Sequence, residues 1–334
     1  MIIPVNISNE PYDIVLERGV LTTAAEHLRL ERKTLIVTDS GVPEFYARNI
    51  QAQCKSAYVH TIPQGESSKA FSELESLLTD MLDFGLSRKD CVVAVGGGVV
   101  GDLAGLAASC YMRGIDFYNI PTTLLAQVDS SVGGKTAINF CRVKNAIGTF
   151  YQPKKVLIDP DTLKTLDTRQ LHAGLAESIK MALCYDADLF ELIERGELEE
   201  NIPEIIRRSL NIKIKVVELD PTEQGLRRVL NFGHTLGHAI ESAADGKMLH
   251  GECVALGMIP LCSESVRRRL MPVLEKYSLP VRCTFDAETL LPYLKHDKKT
   301  DEDYVNLTLV DEIGSFRFEK LKIQEILSLL EAVQ

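Results

Sequence analysis

Three of the seven histidines in this 334-residue chain fall within seventeen positions. His234 and His238 are four residues apart among residue types that suit a helix, so both imidazoles would face the same side. His250 follows in the segment Leu-His-Gly-Glu at 249–252. Imidazole nitrogens with a nearby carboxylate are typical ligands of a catalytic zinc ion. The stretch therefore predicts a metal site, and a helix that carries histidines by chance is the alternative.

A glycine cluster lies much earlier in the chain. The apolar run Cys91–Val95 predicts a buried strand, which leads into Gly96, Gly97 and Gly98 and then into small residues around Asp102. Glycine permits close approach of a ligand, and the N-terminus of the following helix offers free N–H groups to a phosphate. The segment departs from the usual Gly-x-Gly-x-x-Gly fingerprint, so a tight turn without a ligand is the alternative.

Two further polar segments suit phosphate groups. Asp129 and Lys135 lie six residues apart around a Gly-Gly pair, and Lys144-Asn145 follows. Lysines on glycine-rich loops bind phosphate because the ammonium group and backbone N–H groups act together. A solvated loop is the alternative interpretation of each segment.

The elements around these residues change character near the middle of the chain. Up to about residue 150, strand-like runs alternate with helical ones, which predicts βαβ units, a parallel sheet and a ligand at the carboxyl ends of its strands. Gln152-Pro153 suggests a boundary, and beyond Asp167 the pattern is mostly helical. We therefore predict an α/β Rossmann-like domain at 1–150 and a mostly α-helical domain at 151–334. The later predicted elements are helices at 168–184 and 202–218, the histidine helix, one long helix from Val254 to about Leu270, strands at 305–310 and 314–318, and a helix at 323–333.

Composition narrows the class of protein. A formal net charge of −10, from 37 basic and 47 acidic residues, makes nucleic acid and anionic membranes poor partners. The eight cysteines include no Cys-x2-Cys pair and several lie in apolar runs, which is typical of reduced thiols in a cytoplasmic protein. The first residues predict a strand rather than a signal peptide, and no run predicts a membrane span. A small-molecule substrate is the expected partner.

Together, these segments resemble the 3-dehydroquinate synthases of the shikimate pathway. The matching motifs are GGGVVGDLAG at 96–105, PTTLLAQVDSSVGGK at 121–135, KN at 144–145, GLAESIK at 174–180, EQGLRRVLNFGHTLGHAIE at 223–241, LHGE at 249–252 and DKK at 297–299. They occur in the family's order and close to its spacing, and they span essentially the whole chain. Each motif alone is weak, but the set is specific.

The resemblance implies that NAD binds the N-terminal domain and that zinc, or cobalt, binds the helical domain, with the active site in the cleft between them. The implied metal ligands are Glu177, His234 and His250, which leave a coordination position open as a catalytic zinc requires. Glu241 and Glu252 lie nearby and are expected to support the ligands rather than to bind the metal. His238 would then face the phosphate of the substrate.

The remaining site residues are also implied by the resemblance. The expected NAD contacts are Asp39, Glu66, Lys69, Gly97, Gly98, Asp102, Thr122, Thr123, Asp129, Lys135, Lys144 and Asn145, with Thr165 and Gln170 as weaker candidates. The expected substrate contacts are Asp129, Lys135, Lys180, Lys213, Arg227, Asn231, His238 and one of Lys298 or Lys299. The family is a homodimer in which an arginine of the neighbouring subunit reaches the site, and Arg113 matches it.

The implied reaction converts 3-deoxy-D-arabino-heptulosonate 7-phosphate to 3-dehydroquinate and phosphate. Zinc polarises a ring hydroxyl while NAD takes hydride from that carbon. The new ketone acidifies the neighbouring C–H, and the phosphate group takes that proton as it leaves. NADH then returns the hydride, the ring opens, and an intramolecular aldol reaction closes the product. Local cations are required, because an acidic protein must hold a substrate that carries both a carboxylate and a phosphate.

Two other enzyme classes share the expected fold. Metal-dependent alcohol and glycerol dehydrogenases need no phosphate-binding lysines, so Lys135, Lys213 and Arg227 argue against them. Other sugar phosphate cyclases tend to differ near the first ligand histidine, where Asn231 favours dehydroquinate synthase. The chain departs from the common family pattern at 139–143, at Pro221 and at Cys253, which affects the expected local loop geometry but not the chemistry.

Overall fold

The computed structural model describes residues 1–7, 10–141, 143–296 and 304–331. They form two compact units, Met1–Leu166 and Asp167–Gln334. The predicted division after residue 150 lies earlier than this one. The reason is that the strand Lys155–Ile158 pairs with two strands of the first unit and completes its sheet.

The first unit alternates strands and helices. In chain order its elements are β1 (Ile2–Val5), β2 (Tyr12–Leu16), α1 (Ala24–His27), β3 (Lys33–Asp39), α2 (Glu44–Gln53), β4 (Ser56–Ile62), α3 (Phe71–Asp83), β5 (Cys91–Gly96), α4 (Gly98–Cys110), β6 (Asp116–Pro121), β7 (Lys135–Phe140), β8 (Val143–Phe150) and β9 (Lys155–Ile158). A π-helix, Ala126–Ser130, lies between β6 and β7.

Seven of these strands form one sheet in the order β1-β2-β9-β6-β5-β3-β4. All neighbours pair in parallel except β1 with β2. The chain passes from β3 to β4 on one side and then to β5 on the other side of β3, so the strand order reverses there. Parallel α/β sheets bind ligands at this kind of switch point, outside the carboxyl ends of the strands. Asp39 ends β3, and Gly97 and Gly98 follow β5.

Both faces of the sheet are covered. Leu35 and Val37 of β3 pack with apolar residues of α3 and α4, whereas Ile36 between them packs with residues of α1 and α2. A parallel sheet that is buried on both faces needs nearly continuous apolar strands, which explains why β3 and β5 could be predicted from short runs. The predicted Rossmann-like α/β class of this unit is confirmed.

The second unit is mainly helical, as predicted. Its elements are α5 (Thr168–Tyr185), α6 (Ala187–Arg195), α7 (Leu198–Leu219), α8 (His234–Ala244), α9 (His250–Met258), α10 (Glu264–Lys276), α11 (Ala287–His296), β10 (Tyr304–Leu309), β11 (Arg317–Lys322) and α12 (Ile323–Glu331). A short 3-10 helix, Leu226–Asn231, precedes α8. Across the described residues of both units, no helix combines the length and the apolar character that crossing a bilayer demands.

Glycines allow α5, α8 and α9 to pack with their backbones in contact. A Cβ atom placed on Gly251 of α9 would lie 1.8 Å from the carbonyl oxygen of Ala173 in α5. One placed on Gly257 would lie 2.0 Å from the carbonyl oxygen of Gly233, directly before α8. Such distances exclude any side chain, so the spacing of these three helices is set by their backbones.

Two predictions of secondary structure fail. The single helix predicted from Val254 to about Leu270 is wrong, because Pro260 cannot continue the helical hydrogen bonds and the Ser263 hydroxyl accepts from the Val266 N–H to begin α10. The segment predicted as a loop after Asp129 instead contains the antiparallel hairpin β7–β8. All eight residues of β8 are exposed, so no alternation of apolar and polar residues marked it as a strand.

Candidate functional site

The Glu177 carboxylate lies at the centre of the cluster predicted to bind metal. Its side chain is 1% exposed, and Oε1 lies 3.6 Å from His234 Nε2 and 3.5 Å from His250 Nε2. Two ligand atoms at about 2.1 Å from one tetrahedral ion lie roughly 3.4 Å apart. The three predicted ligands are therefore spaced as a shared divalent cation requires.

The two histidines predicted as metal ligands, His234 and His250, are oriented through their other ring nitrogens. His234 Nδ1 lies 3.1 Å from the Phe232 carbonyl oxygen, and His250 Nδ1 lies 3.1 Å from Glu241 Oε2. Partners of this kind fix the tautomer of a ligand histidine and leave Nε2 free to bind the metal. Glu241 thus has the supporting position expected of it.

His238 adjoins this cluster, as its spacing of four residues from His234 indicated. Its ring centroid lies 5.3 Å from that of His234 and 5.7 Å from that of His250. One ring nitrogen from each of the three histidines lies within 4.8 Å of the others. His238 is therefore one helical turn from His234 and adjacent to the space that a metal would occupy.

The charges in this cluster are tightly linked. Burial alone would raise the pKa of Glu177, but Lys180, His234 and His250 hold that pKa well below its ordinary value. Burial and the charge of Lys180 hold the pKa of His234 well below its usual value, so its ring is neutral. Burial would lower the pKa of His250, but Glu177 and Glu241 raise it to about 9. A bound cation must displace the proton of His250.

Lys180 links the metal cluster to the residues before α8. It pairs with Glu177 on the same helix face, and its Nζ donates to the Leu230 carbonyl oxygen at 2.7 Å. Asn231 follows directly, and its Nδ2 donates to Glu223 Oε1 at 2.7 Å. Two of the predicted substrate contacts, Lys180 and Asn231, thus lie beside the predicted metal ligands.

The other predicted substrate contacts of the second unit are also buried cations. Arg227 is 1% exposed, and its Nη1 donates to the Pro221 carbonyl oxygen at 2.7 Å. Lys213 of α7 is 6% exposed. Both cations therefore lie where water would screen a bound anion only weakly. Lys298 and Lys299 lie outside the described residues.

In the first unit, the predicted nucleotide residues gather at the switch point of the sheet. The Asp39 carboxylate accepts from the Gly41 N–H at 2.7 Å and from the Val42 N–H at 3.2 Å, and burial raises its pKa. No side chain among the described residues caps the N-terminus of α4, so its N–H groups are available to a phosphate. A Cβ atom on Gly97 would lie 3.1 Å from Thr123 Cγ2, and one on Gly98 would lie 3.1 Å from Ser130 Oγ.

Lys69 connects several of the predicted NAD contacts. It is 4% exposed, and its Nζ donates to Asp102 Oδ2 at 2.6 Å and to Asn145 Oδ1. Glu66 Oε1 lies 3.8 Å from the same nitrogen. Burial raises the pKa of Asp102 to about 6, although Lys69 opposes this shift. The structure therefore brings together four of the residues that the resemblance selects.

Asn139 belongs to the same network and was not predicted as a site residue. Its Nδ2 donates to Glu66 Oε1 at 2.9 Å, and its Oδ1 accepts from the Asn145 N–H at 2.8 Å. Its own N–H donates to the Lys69 carbonyl oxygen at 2.8 Å. Asn139 lies in the stretch that departs from the family pattern, and recognising its role required knowledge of the β7–β8 hairpin.

Four further predicted contacts belong to segments next to these residues in the chain. Asp129 lies within the π-helix, a rare geometry that is often found at functional sites. The Thr122 N–H donates to the Gly96 carbonyl oxygen at 2.9 Å, which holds it beside the glycine turn. Lys135 is exposed and its charge opposes the rise that burial causes in the pKa of Asp102, and Lys144 is an exposed residue of β8.

The structure does not join every candidate to these clusters. The Thr165 hydroxyl lies 3.0 Å from the Tyr46 hydroxyl and donates to the Thr162 carbonyl oxygen. Gln170 lies in the first turn of α5, where its N–H bonds to the N-cap Asp167. Arg113 is exposed and has a left-handed backbone with φ of 70°.

The residues present fit both implied cofactors. Glu177 Oε1 is buried and faces the Nε2 atoms of His234 and His250, and one carboxylate with two imidazoles is a donor set that suits a divalent cation. The glycine turn and the uncapped N-terminus of α4 provide the close approach and the N–H groups that a dinucleotide pyrophosphate requires.

Comparison with known proteins agrees with this pair of sites. Residues 59–173 match the family described as 3-dehydroquinate synthase N-terminal, and residues 174–300 match 3-dehydroquinate synthase C-terminal. The 3-dehydroquinate synthase of Streptococcus suis is 41% identical over 99% of this chain and 100% of that protein. The enzyme of Latilactobacillus sakei is also 41% identical, over 99% of this chain and 98% of that protein.

Solved structures of NAD- and metal-bound cyclases have the same fold. A 2-deoxy-scyllo-inosose synthase complexed with carbaglucose-6-phosphate, NAD+ and Co2+ has a TM-score of 0.91 at 26% identity, covering 100% of both chains. ValA, the 2-epi-5-epi-valiolone synthase of Streptomyces hygroscopicus, with NAD+ and Zn2+ bound, has a TM-score of 0.89 at 32% identity, covering 96% of both chains. A probable glycerol dehydrogenase from Sinorhizobium meliloti, at 13% identity and a TM-score of 0.61, shares the fold alone.

The fold and the two sites define an enzyme that depends on NAD and a divalent metal, within the structural class of the sugar phosphate cyclases. Within that class, the chain belongs to the 3-dehydroquinate synthase family.

Proposed function

We propose that this enzyme converts 3-deoxy-D-arabino-heptulosonate 7-phosphate to 3-dehydroquinate and phosphate. The observation that carries the proposal is the position of Glu177 Oε1, which is 3.6 Å from His234 Nε2 and 3.5 Å from His250 Nε2 in a buried cluster. These three residues hold the metal, which is zinc or cobalt. The reaction assigned to relatives that are 41% identical supports the substrate.

Each unit has its own part in the reaction. We propose that the first unit is the NAD-binding domain, with Asp39, the glycine turn and Lys69 as its main contacts. When bound, NAD accepts and returns a hydride, while the metal acts as a Lewis acid on a substrate hydroxyl. Orientation of the substrate is the task of the chain's own residues, because proximity and alignment account for much of an enzyme's rate.

The cations bind the two acidic groups of the substrate. Lys213 and Arg227 are buried, so their charge-assisted hydrogen bonds to a carboxylate or phosphate are only weakly screened by solvent. Lys135, Asp129 and Asn231 complete the contacts, together with one lysine of the 298–299 pair. Lys180 is paired with Glu177 and can also bind a substrate oxygen.

His238 acts at the leaving group. Its ring is close enough to His234 and His250 to face a ligand that is held beside the metal. We propose that it hydrogen-bonds the phosphate ester, which takes the proton from carbon as it leaves. His238 thus has a different function from the two metal ligands, although the three rings are neighbours.

We also propose that the enzyme is a cytoplasmic homodimer. The exposed Arg113 follows Met112, and both have a left-handed backbone, with φ of 70° and 48°. Non-glycine residues in this region store strain that is often associated with function. Strand β8 is exposed throughout and pairs only with β7 among the described strands, and the open edge of such a sheet is a surface that other chains commonly cover.

The test combines product analysis with metal content. Purified enzyme should release phosphate from the heptulosonate phosphate without net formation of NADH, since the hydride is returned. Steady accumulation of NADH would instead identify a dehydrogenase and refute the proposal.

Histidine variants test the metal ligands separately from the chemistry. His234→Ala and His250→Ala should lose stoichiometric zinc, whereas His238→Ala should keep zinc and release phosphate at least 100-fold more slowly, the usual effect of losing an acid–base group. His27→Ala, in α1, is the matched control and should keep both zinc and activity. Full zinc in His250→Ala would disprove the ligand set.

A further inference from the structure

Arg169 makes a fork-shaped contact with Glu252 that the reaction does not use. Its Nε donates to Glu252 Oε1 at 2.6 Å, and its Nη2 donates to Glu252 Oε2 at 2.8 Å. Arg169 is the second residue of α5, the helix that carries Glu177 eight positions later, and Glu252 lies in the first turn of α9. The contact therefore joins the two helices that supply the metal ligands Glu177 and His250.

Arg169 and Glu252 also bond to residues that precede His250 in the chain. Glu252 Oε2 accepts from the Leu249 N–H at 2.8 Å, and Arg169 Nη2 also donates to the Lys247 carbonyl oxygen at 3.1 Å. Lys247, three residues before His250, and Glu252, two residues after it, are thus bonded to a single guanidinium. Because His250 is the first residue of α9, where helices tend to fray, its position depends on how this turn is held.

The charges of the pair fit this task. Glu252 is 9% exposed, whereas Arg169 is 57% exposed, so the carboxylate is fixed and the arginine approaches it from the solvent side. A planar guanidinium that bonds a carboxylate through two parallel hydrogen bonds fixes direction as well as distance. The Gly251 backbone contact with Ala173 sets how closely α9 approaches α5, and the Arg169–Glu252 fork adds a polar contact between the same two helices.

We propose that Arg169 is a positioning residue that, through Glu252, holds His250 where it can share a metal ion with Glu177 and His234. The inference rests on the metal site proposed above. Arg169 does not touch the ion, and its effect reaches the site through the first turn of α9. Loss of residues that orient metal ligands commonly weakens metal binding 10- to 100-fold.

The test measures zinc affinity by competition with a chromophoric chelator. Arg169→Met should raise the zinc dissociation constant about 10- to 100-fold, and Arg169→Lys should recover part of this loss. Glu252→Gln keeps an acceptor for the Leu249 N–H, so it should fold even if Arg169→Met does not, and it should weaken zinc to a similar extent. The double variant should bind zinc no more weakly than Glu252→Gln alone, because the two substitutions break the same contact.

A second arginine–glutamate fork provides the matched control. Arg269 donates to Glu194 through Nε at 3.0 Å and Nη2 at 2.6 Å, and neither residue lies on a ligand-bearing helix. Arg269→Met should lower the unfolding temperature of the metal-free protein about as much as Arg169→Met while leaving zinc affinity unchanged. Zinc affinity within twofold of the parent in both Arg169→Met and Glu252→Gln would overturn the proposal. Tight zinc binding by His250→Ala would instead show that the proposed ligand set itself is wrong.

Discussion

The buried pair of Lys180 and Glu177 leads to a prediction that separates stability from metal binding. Their side chains are 2% and 1% exposed, so neither charge is screened by water. Replacing Lys180 by Met keeps the volume but leaves the Glu177 carboxylate without its ammonium partner. Removing one partner of a buried ion pair typically costs about 3–5 kcal/mol. We expect Lys180→Met to lose this much unfolding free energy in the metal-free protein at pH 7.

Proton uptake limits this loss. Protonating a carboxyl group with the ordinary pKa of 4.5 at pH 7 costs about 3.4 kcal/mol, at 1.36 kcal/mol per pH unit. In the parent, the lowered pKa of Glu177 contributes stability that is present above pH 4.5 and is lost as the pH falls through the folded-state pKa. The difference between Lys180→Met and the parent should therefore shrink as the pH falls below about 4.5.

Zinc should reverse much of the loss, because the ion supplies the positive charge that the variant lacks. In the zinc-loaded protein we expect a loss of about 1–2 kcal/mol, mainly from the hydrogen bond of Lys180 to the Leu230 carbonyl oxygen. The difference implies that the variant binds zinc about 2 kcal/mol more tightly, or roughly 30-fold. Urea unfolding with and without zinc, together with chelator competition, measures both quantities.

The double variant Glu177→Gln/Lys180→Met provides the control. It removes both charges, so the free energy of unfolding of the metal-free protein should return most of the way to the parent value, whereas zinc binding should be lost. A loss of less than about 1 kcal/mol in metal-free Lys180→Met would refute the argument. So would a double variant as unstable as the single one, since Lys180 would then stabilise the fold by packing rather than by charge.

Three further predictions concern the framework of the two sites. Burial raises the pKa of Asp102 from 3.8 to about 6, so its ionisation costs the fold up to about 3 kcal/mol. In urea unfolding, the free energy of unfolding of Asp102→Asn should therefore rise relative to that of the parent as the pH increases from 4 to 8. A constant difference between the two proteins over this pH range would contradict the prediction. Gly251→Ala places a Cβ 1.8 Å from the Ala173 carbonyl oxygen, so it should lower the free energy of unfolding by about 3 kcal/mol or more and weaken zinc binding. A loss of less than about 1 kcal/mol would show that α5 and α9 separate easily. Asn139→Ala removes a bond to Asn145, so calorimetry should find NAD binding weakened about fivefold or more, whereas unchanged affinity would exclude a role for Asn139.

The sheet and the clustering of the histidines could be predicted because their signals are local. Runs such as Cys91–Val95 are apolar throughout, as strands buried on both faces require. His234 could be selected from its motif, and its separation from Glu177 in the chain did not matter once the family resemblance joined them. The break at Pro260 was also present in the sequence, since proline with a following serine cap predicts the end of one helix and the start of another.

The residues that could not be predicted act through contacts between distant segments. Arg169 and Glu252 are 83 positions apart, and neither carries a periodic signal that points to the other. Asn139 is recognisable only when β7 and β8 pair, and the full exposure of β8 hides that pairing from any pattern of apolar residues. Such residues support the site through hydrogen bonds and ion pairs, and neither their residue type nor their spacing in the sequence identifies them.

The glycine contacts between α5, α8 and α9 have a consequence for which ion the enzyme carries. They set the distances between two imidazole nitrogens and one carboxylate oxygen, a donor set that suits several first-row divalent ions. Affinity in such a set rises from Mn2+ through Co2+ to Cu2+ and falls again at Zn2+. Backbone spacing thus favours loading by a small divalent cation, while cellular supply decides among cobalt, zinc and copper. Copper is the tightest binder of this series, so at equal free concentration it would outcompete zinc and cobalt for the three donors.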